Sequence, residues 1–180
     1  DAVLNLLQDY ARHYLIWIEY GLQSASDATL AYINRGHDVR CFKDAVEKTR
    51  NHGIKICAHV ILGLPHETRQ DMLHTAEMLA TLGIDGVKLH LLYVVKGTAL
   101  ETLYRQGDFK CLEQRAYVDL VCDFLERIPS GVVIQRLTGD PHPVELVAPA
   151  WALNKSETLA QIQQTLQKRD SRQGRLFKRQ

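Results

Sequence analysis

Ile54-Lys-Ile-Cys-Ala-His-Val-Ile-Leu-Gly-Leu-Pro-His-Glu-Thr68 is the stretch that decides the fold. Ile54 to Leu62 is apolar and β-prone and reads as a strand. Gly63 permits close backbone approach or a positive φ, and Pro65 fixes a sharp exit. Glu67 and Thr68 then open a helix, expected over Glu67 to Leu82 and closed by Gly83. The amides of that helix start are of the kind that face anionic groups. A plain β-to-α turn explains Gly63-Leu64-Pro65 equally well, and both readings stay open.

Working outward, the same unit recurs. Ala2 to His13 has helical apolar spacing, and Leu15 to Leu22 reads as a buried strand. Ser26-Asp27 resembles an N-cap before a short helix over Ala28 to Ile33. Val39 to His52 reads as a helix ended by Gly53. Asp85 to Val94 is a third strand, Leu112 to Arg127 a helix, Gly131 to Leu137 a strand, and Ser156 to Lys168 a helix with a capped start. Thr138 to Asn154, with Pro141, Pro143 and Pro149, is expected as a structured loop. Alternating helices and strands with short connections imply right-handed βαβ units and a parallel sheet.

Strand alternation selects candidate residues, because function gathers at the C-terminal ends of parallel strands. Glu19, Gly21 and Gln23 share one face of the first strand. Lys55, Cys57, His59 and Ile61 share a face of the second, and Lys88, His90 and Leu92 of the third. Matching the polar members gives a lining of Glu19, Gln23, His59, Lys88 and His90, with Arg136 joining from the last strand. An apolar core would not choose five such groups, since each buried polar atom needs a partner. A single buried His or Gln is more often structural than functional, and a slip of one residue would invert every face.

A net charge of +1 gives no overall field for nucleic acid or membrane. No apolar run reaches membrane-spanning length. Asp9 and Arg12 interrupt the N-terminal stretch, so no signal peptide is expected and a cytoplasmic location is inferred. The chain opens on Asp1, which suggests a segment of a longer polypeptide. Cys41, Cys57, Cys111 and Cys122 form no CxxC or CxxxCxxC group, so no metal site is expected and free thiols are.

Three runs carry a family resemblance: Ile18-Glu-Tyr-Gly-Leu-Gln-Ser24, Arg35-Gly36-His37 and Ile61 to Thr68. They resemble the radical S-adenosylmethionine (SAM) superfamily, in the branch with oxygen-independent coproporphyrinogen oxidases, the elongator catalytic subunit and the methylthiotransferases. Leu91-Leu-Tyr-Val-Val-Lys-Gly-Thr98 and Leu137-Thr-Gly-Asp140 extend the likeness to YhcC-type proteins. The resemblance implies an α/β fold, an incomplete (β/α) TIM-like barrel. This chain would supply parallel strands four to six and C-terminal additions. The expected organisation is a half barrel over residues 1–105, an extension over 106–168 packed on the same core, and a basic flexible tail over 169–180.

The resemblance also implies SAM as cofactor, with a [4Fe–4S] cluster bound outside this segment, where the family's CxxxCxxC loop would lie. Gln23 and Arg35 match SAM-contacting family residues in identity and spacing. Arg35 would pair with the SAM carboxylate. His59 stands where the branch has an aspartate on the SAM ribose. Ser24 and Gly63 fall within the matching motifs, and backbone at Leu92, Tyr93 and Val94 would meet the adenine. Glu19, Lys88, His90 and Arg136 would line a substrate site, for a small molecule or RNA. Catalytic residues stay unassigned. The segment is expected to be inert alone and, with one strand edge uncovered, to self-associate. The alternative is a non-catalytic α/β domain that binds RNA or a protein partner through Lys168, Arg169, Arg172, Arg175, Lys178 and Arg179.

Overall fold

The computed structural model describes residues 2–178. Its elements are helix α1 (Ala2–Ala11), strand β1 (Trp17–Gln23), α2 (Asp27–Tyr32), α3 (Val39–Thr49), β2 (Lys55–Leu62), α4 (Arg69–Leu82) and β3 (Gly86–Leu91). Then follow β4 (Val94–Val95), α5 (Ala99–Gln106), α6 (Gln114–Arg127), β5 (Val133–Arg136), β6 (Leu146–Ala148), a 3-10 turn (Ala150–Leu153) and α7 (Lys155–Lys168).

The main sheet has the order β1-β2-β3-β5, with every pair parallel. It is an arc of a β/α barrel with β1 at one edge, as expected. Ile56, Ala58, Val60 and Leu62 of β2, with Val87, Leu89 and Leu91 of β3, pack in one buried cluster with Val46, Ala76, Leu79, Tyr117 and Phe124 of the helices. The strands alternate, so their remaining side chains stand on the other face.

Local signals explain most boundaries. Ser26 caps α2, its hydroxyl accepting from Thr29 N. Thr68 and Asp71 form a reciprocal capping box at α4, and Gly83 ends that helix in the left-handed conformation. Asp71 thus already serves the helix start whose amides are of the kind that face anionic groups. Helix α3 stops at Thr49 rather than His52, because Asn51, not Gly53, takes the left-handed position after its cap. Asn tolerates that conformation through its short polar side chain.

Four further expectations need correction. The third strand ends at Leu91, and Val94–Val95 leaves to pair antiparallel with Leu146–Ala148. Burial of Val94 with Phe109 and Ala148 in a second small core holds it there. Helix α5 was not anticipated, although Thr98, Glu101 and Gly107 supply its two caps. Helix α7 starts at Lys155 after Asn154, without the side-chain cap expected of Ser156. Finally, residues 169–178, expected to fray, dock against α6. Gly174 N donates to Leu125 O at 3.0 Å and Leu176 N to Glu126 O at 2.8 Å. Arg169 reaches Asp119 and Asp123 at 2.7 Å each. Arg179 lies outside the described residues.

Candidate functional site

The register between strands fixes which open-face side chains are neighbours. Gly21 pairs with His59, His59 with Lys88, and Lys88 with Arg136. Ile61 pairs with His90 one step nearer the strand ends. For Glu19, His59, Lys88 and His90 the register keeps the common face expected from alternation. On this face the Glu19 carboxylate bridges two neighbours: His59 Nε2–H donates to Oε2 at 2.7 Å, and Lys88 Nζ donates to Oε1. The Lys88 hydrogen bond holds the Glu19 carboxyl below the usual carboxylate range, with a smaller contribution from His59. Glu19 is thus ionised at neutral pH.

A second group forms at the C-terminal end of β1. The register shifts between Gly21 and Gln23, and Gln23 adopts a φ of +69°. A bulge of this kind re-aims a side chain. It turns Gln23 back over Gly21, where Arg35 also arrives. A Cβ at Gly21 would lie 2.6 Å from Gln23 Nε2 and 2.4 Å from Arg35 Nη2. Only glycine leaves room for both. Arg35 Nη2 donates to Gly21 O at 3.0 Å, and His37 Nε2–H donates to the same oxygen at 3.0 Å. Arg35 Nε is buried and has no partner among the described residues. Such an orphaned charged donor calls for an acceptor that the protein itself does not provide.

Around β3 and β5, the His90 and Tyr93 rings lie 5.8 Å apart. Gly139 gives them room, since a Cβ there would meet Tyr93 at 2.8 Å. His90 Nδ1–H donates to Leu91 O at 3.2 Å. Burial, opposed by that backbone bond and aided by the charges of Arg136 and His59, lowers the His90 pKa. The neutral ring keeps a lone pair on Nε2. Gly63, at φ +91°, lies against Leu112 and Leu92, and Leu92 N donates to Leu62 O at 3.0 Å.

The structure thus brings together Gln23 and Arg35 over Gly21, and Glu19, His59 and Lys88 beside them. His90, Tyr93 and Arg136 follow across the sheet. His59 pairs in register with Gly21 and donates to Glu19, so it stands between the Gln23–Arg35 group and Lys88. Two expected residues stand apart. Ser24 is only 1% exposed and its hydroxyl donates to Glu67 Oε1. Val94 is buried in the second core and its main chain pairs with Ala148.

Sequence reasoning missed three contributors. His37 lay within the Arg35-Gly36-His37 run but had no role. Gly21 lay within the first motif, yet its closeness to Arg35 is a tertiary fact. Glu67 clamps the loop after β1 to the loop after β2 through Ser24. Desolvation raises its pKa, against the opposing hydrogen bonds from Ser24 and Thr29. Its place after Gly63-Leu64-Pro65-His66 was the available signal.

The four cysteines are free and lie on separate elements or loops, and two of them, Cys57 and Cys122, are buried. Among the described residues no three His, Cys, Asp or Glu side chains are grouped to hold a metal ion. No described helix is long and apolar enough to cross a membrane.

Comparison with known proteins gives a consistent picture. A model of the Radical SAM superfamily matches residues 1–79, and one of the Radical_SAM C-terminal domain matches residues 84–168. The chain is 43% identical over 180 residues to "Uncharacterized protein YtqA" of Bacillus subtilis, covering 99% of this chain and 56% of YtqA. It is 35% identical over 167 residues to "Protein YhcC" of Escherichia coli, covering 92% and 54%. The chain therefore spans about half the length of these curated relatives. The solved structure of the archaeal Methanocaldococcus infernus Elp3, with its N-terminus deleted, superposes with a TM-score of 0.78 at 19% identity. That match covers 93% of this chain and 39% of the other, and it establishes a shared fold. With one family model over its first half, another over its second, and relatives aligned along nearly its whole length, this chain belongs to the radical SAM superfamily.

Proposed function

We propose that this chain is the C-terminal part of a radical SAM iron–sulfur enzyme. In this reading it positions SAM and substrate, while the [4Fe–4S] cluster is held by residues outside it. The observation that carries the proposal is the convergence of Gln23 and Arg35 over Gly21, with Arg35 Nε buried and unpartnered. The donor set suits the cofactor. The guanidinium is steadied through Nη2 by Gly21 O, which leaves Nε for a carboxylate, and a planar guanidinium matches that geometry. The Gln23 amide offers a donor and an acceptor to a polar edge of the ligand. Main chain around Gly63, Leu92 and Tyr93 closes the same end of the sheet.

In such an enzyme the cofactor supplies the radical chemistry, and the protein supplies binding, orientation and electrostatics. Here Glu19, Lys88, His90 and Arg136 would orient the substrate. Lys88 and His59 hold Glu19 ionised, and His90 offers a neutral acceptor at Nε2. Among the described residues no group of His, Cys, Asp or Glu fits a cluster site, and on this reading the segment alone is inert. The alternative, in which the basic C-terminus binds RNA or a protein, has less support. Arg169 is engaged by Asp119 and Asp123, and Arg175 donates to the main chain at Arg169 and Asp170.

The test is calorimetry of SAM binding to a cluster-bearing protein of the relatives' full length. Arg35→Ala should weaken binding by roughly 1.5–3 kcal/mol, the scale of a charge-assisted hydrogen bond. An unchanged dissociation constant in a folded variant would remove Arg35 from the site and the reading with it.

A further inference from the structure

His59, Lys88 and Arg136 occupy one row across three adjacent strands. Neighbouring strands lie about 4.8 Å apart, so the row brings three nitrogen-bearing side chains together, Arg136 following a one-residue register shift on β5. The first gap already shows what such a row takes. Between His59 and Lys88 sits a carboxylate, that of Glu19, bonded to both. The second gap, between Lys88 and Arg136, is likewise flanked by two nitrogen-bearing side chains and holds no acid among the described residues. Arg136 is exposed and makes no ion pair with a carboxylate among the described residues.

The rest of the face does not compensate for this charge. His90 lies beside Arg136 and feels its charge. Tyr93 packs its ring against His90 and carries no carboxylate. Asp140, just beyond β5, is engaged by Lys155 at 3.0 Å. Glu19 is thus the acid within the row, and it is already shared by His59 and Lys88.

We infer that the Lys88–Arg136 gap is an oxyanion subsite, and that it receives a carboxylate or phosphate group of the substrate. The inference rests on the reading of the open face as the substrate side of a radical SAM enzyme, and it adds the chemical class of the substrate. A guanidinium at the strand end gives the fork for two oxygens, and the ammonium behind it a point charge. Lys88 has three donors, of which Glu19 takes one. Glu19 therefore orients Lys88 without exhausting it. A substrate held there would lie across the ends of β3 and β5, one strand removed from β2 and two from Gly21.

The experiment is a two-dimensional NMR titration of this 180-residue chain with inorganic phosphate and, separately, with malonate, at fixed ionic strength. Saturable shifts at Arg136, Lys88 and His90 are expected with at least one of the two. Arg136→Ala should weaken binding at least tenfold, Arg136→Lys should retain part of it, and Arg172→Ala, on the docked tail, should leave it unchanged. Tighter phosphate assigns a phosphate ester, and tighter malonate assigns a carboxylate. Non-saturating shifts with both anions, or equal loss in Arg136→Ala and Arg172→Ala, would overturn the subsite. Arg35→Ala separates the two readings: it should leave the saturable shifts at Arg136, Lys88 and His90 unchanged, so loss of SAM affinity and loss of anion binding at this subsite fail independently.

Discussion

On β3, Val87, Leu89 and Leu91 are sealed beneath the helices, while Lys88 and His90 alternate with them onto the open face. The two sets are one residue apart in sequence and differ in what they contribute. The covered face is almost wholly apolar and supplies the hydrophobic driving force for the fold. The open face carries Glu19, His59, Lys88, His90 and Arg136, groups that add little to folding and much to chemistry. One backbone thus holds both, and the rigidity obtained on the first face is what fixes side-chain positions on the second.

The largest effect expected from breaking this contrast is on the covered side. Leu89→Ala removes a fully buried side chain and should cost about 2–5 kcal/mol in denaturant unfolding. A loss below about 1 kcal/mol would mean the helices do not seat on β3 as described. Next comes the helix layer. Thr68→Ala deletes the capping box of α4 and should cost about 1 kcal/mol by the same measurement, with Thr68→Ser restoring most of it.

The open face should respond oppositely. Lys88→Met breaks a partly exposed ion pair, so stability should change by less than about 1 kcal/mol. Anion binding at the strand ends should nevertheless fall. A loss as large as that of Leu89→Ala would erase the distinction between the faces.

The smallest effect is a pair of pH dependences with opposite sign. The Glu19 pKa is depressed in the folded state, so its contribution is full above the unfolded value and is lost as pH falls through the lower folded one. Exposure limits it to a few tenths of a kcal/mol. Glu67 is raised, so the folded state holds its proton more tightly than the unfolded state does. Its stabilising effect is present at low pH and is lost as pH rises through its folded pKa. Comparing unfolding midpoints from about pH 3 to 7, Glu19→Gln should flatten the acid side of the profile. Glu67→Gln should remove a decline toward neutrality. Identical profiles for both variants would show that neither carboxyl is perturbed by its surroundings.

Strand periodicity and the glycines that end β2 and α4 were legible in the sequence because they are local: Gly63, Gly83, Ser26 and Thr68 act on their own turn of chain. Alternation also gave the shared face of Glu19, His59, Lys88 and His90, since the side-chain period of a strand is fixed by its pleat. The grouping of Gln23 with Arg35 was legible only through family resemblance. Other features had no local signal. The bulge that turns Gln23 over Gly21 depends on how β1 lies against β2. The departure of Val94 from the sheet follows from a second core with Phe109 and Ala148, distant in the chain. The docking of residues 169–178 required Asp119, Asp123 and the end of α6 to be in place. The sequence by itself determined which residues alternate, the Ser26 cap of α2 and the Gly83 stop of α4, and which family the chain resembles, because those are properties of short windows. The tertiary structure alone decided that Ser24 serves Glu67, that His59 stands with Glu19 and Lys88, and that Arg136 has no acid beside it among the described residues. Such pairings are set by the contacts left available once distant strands have come into register.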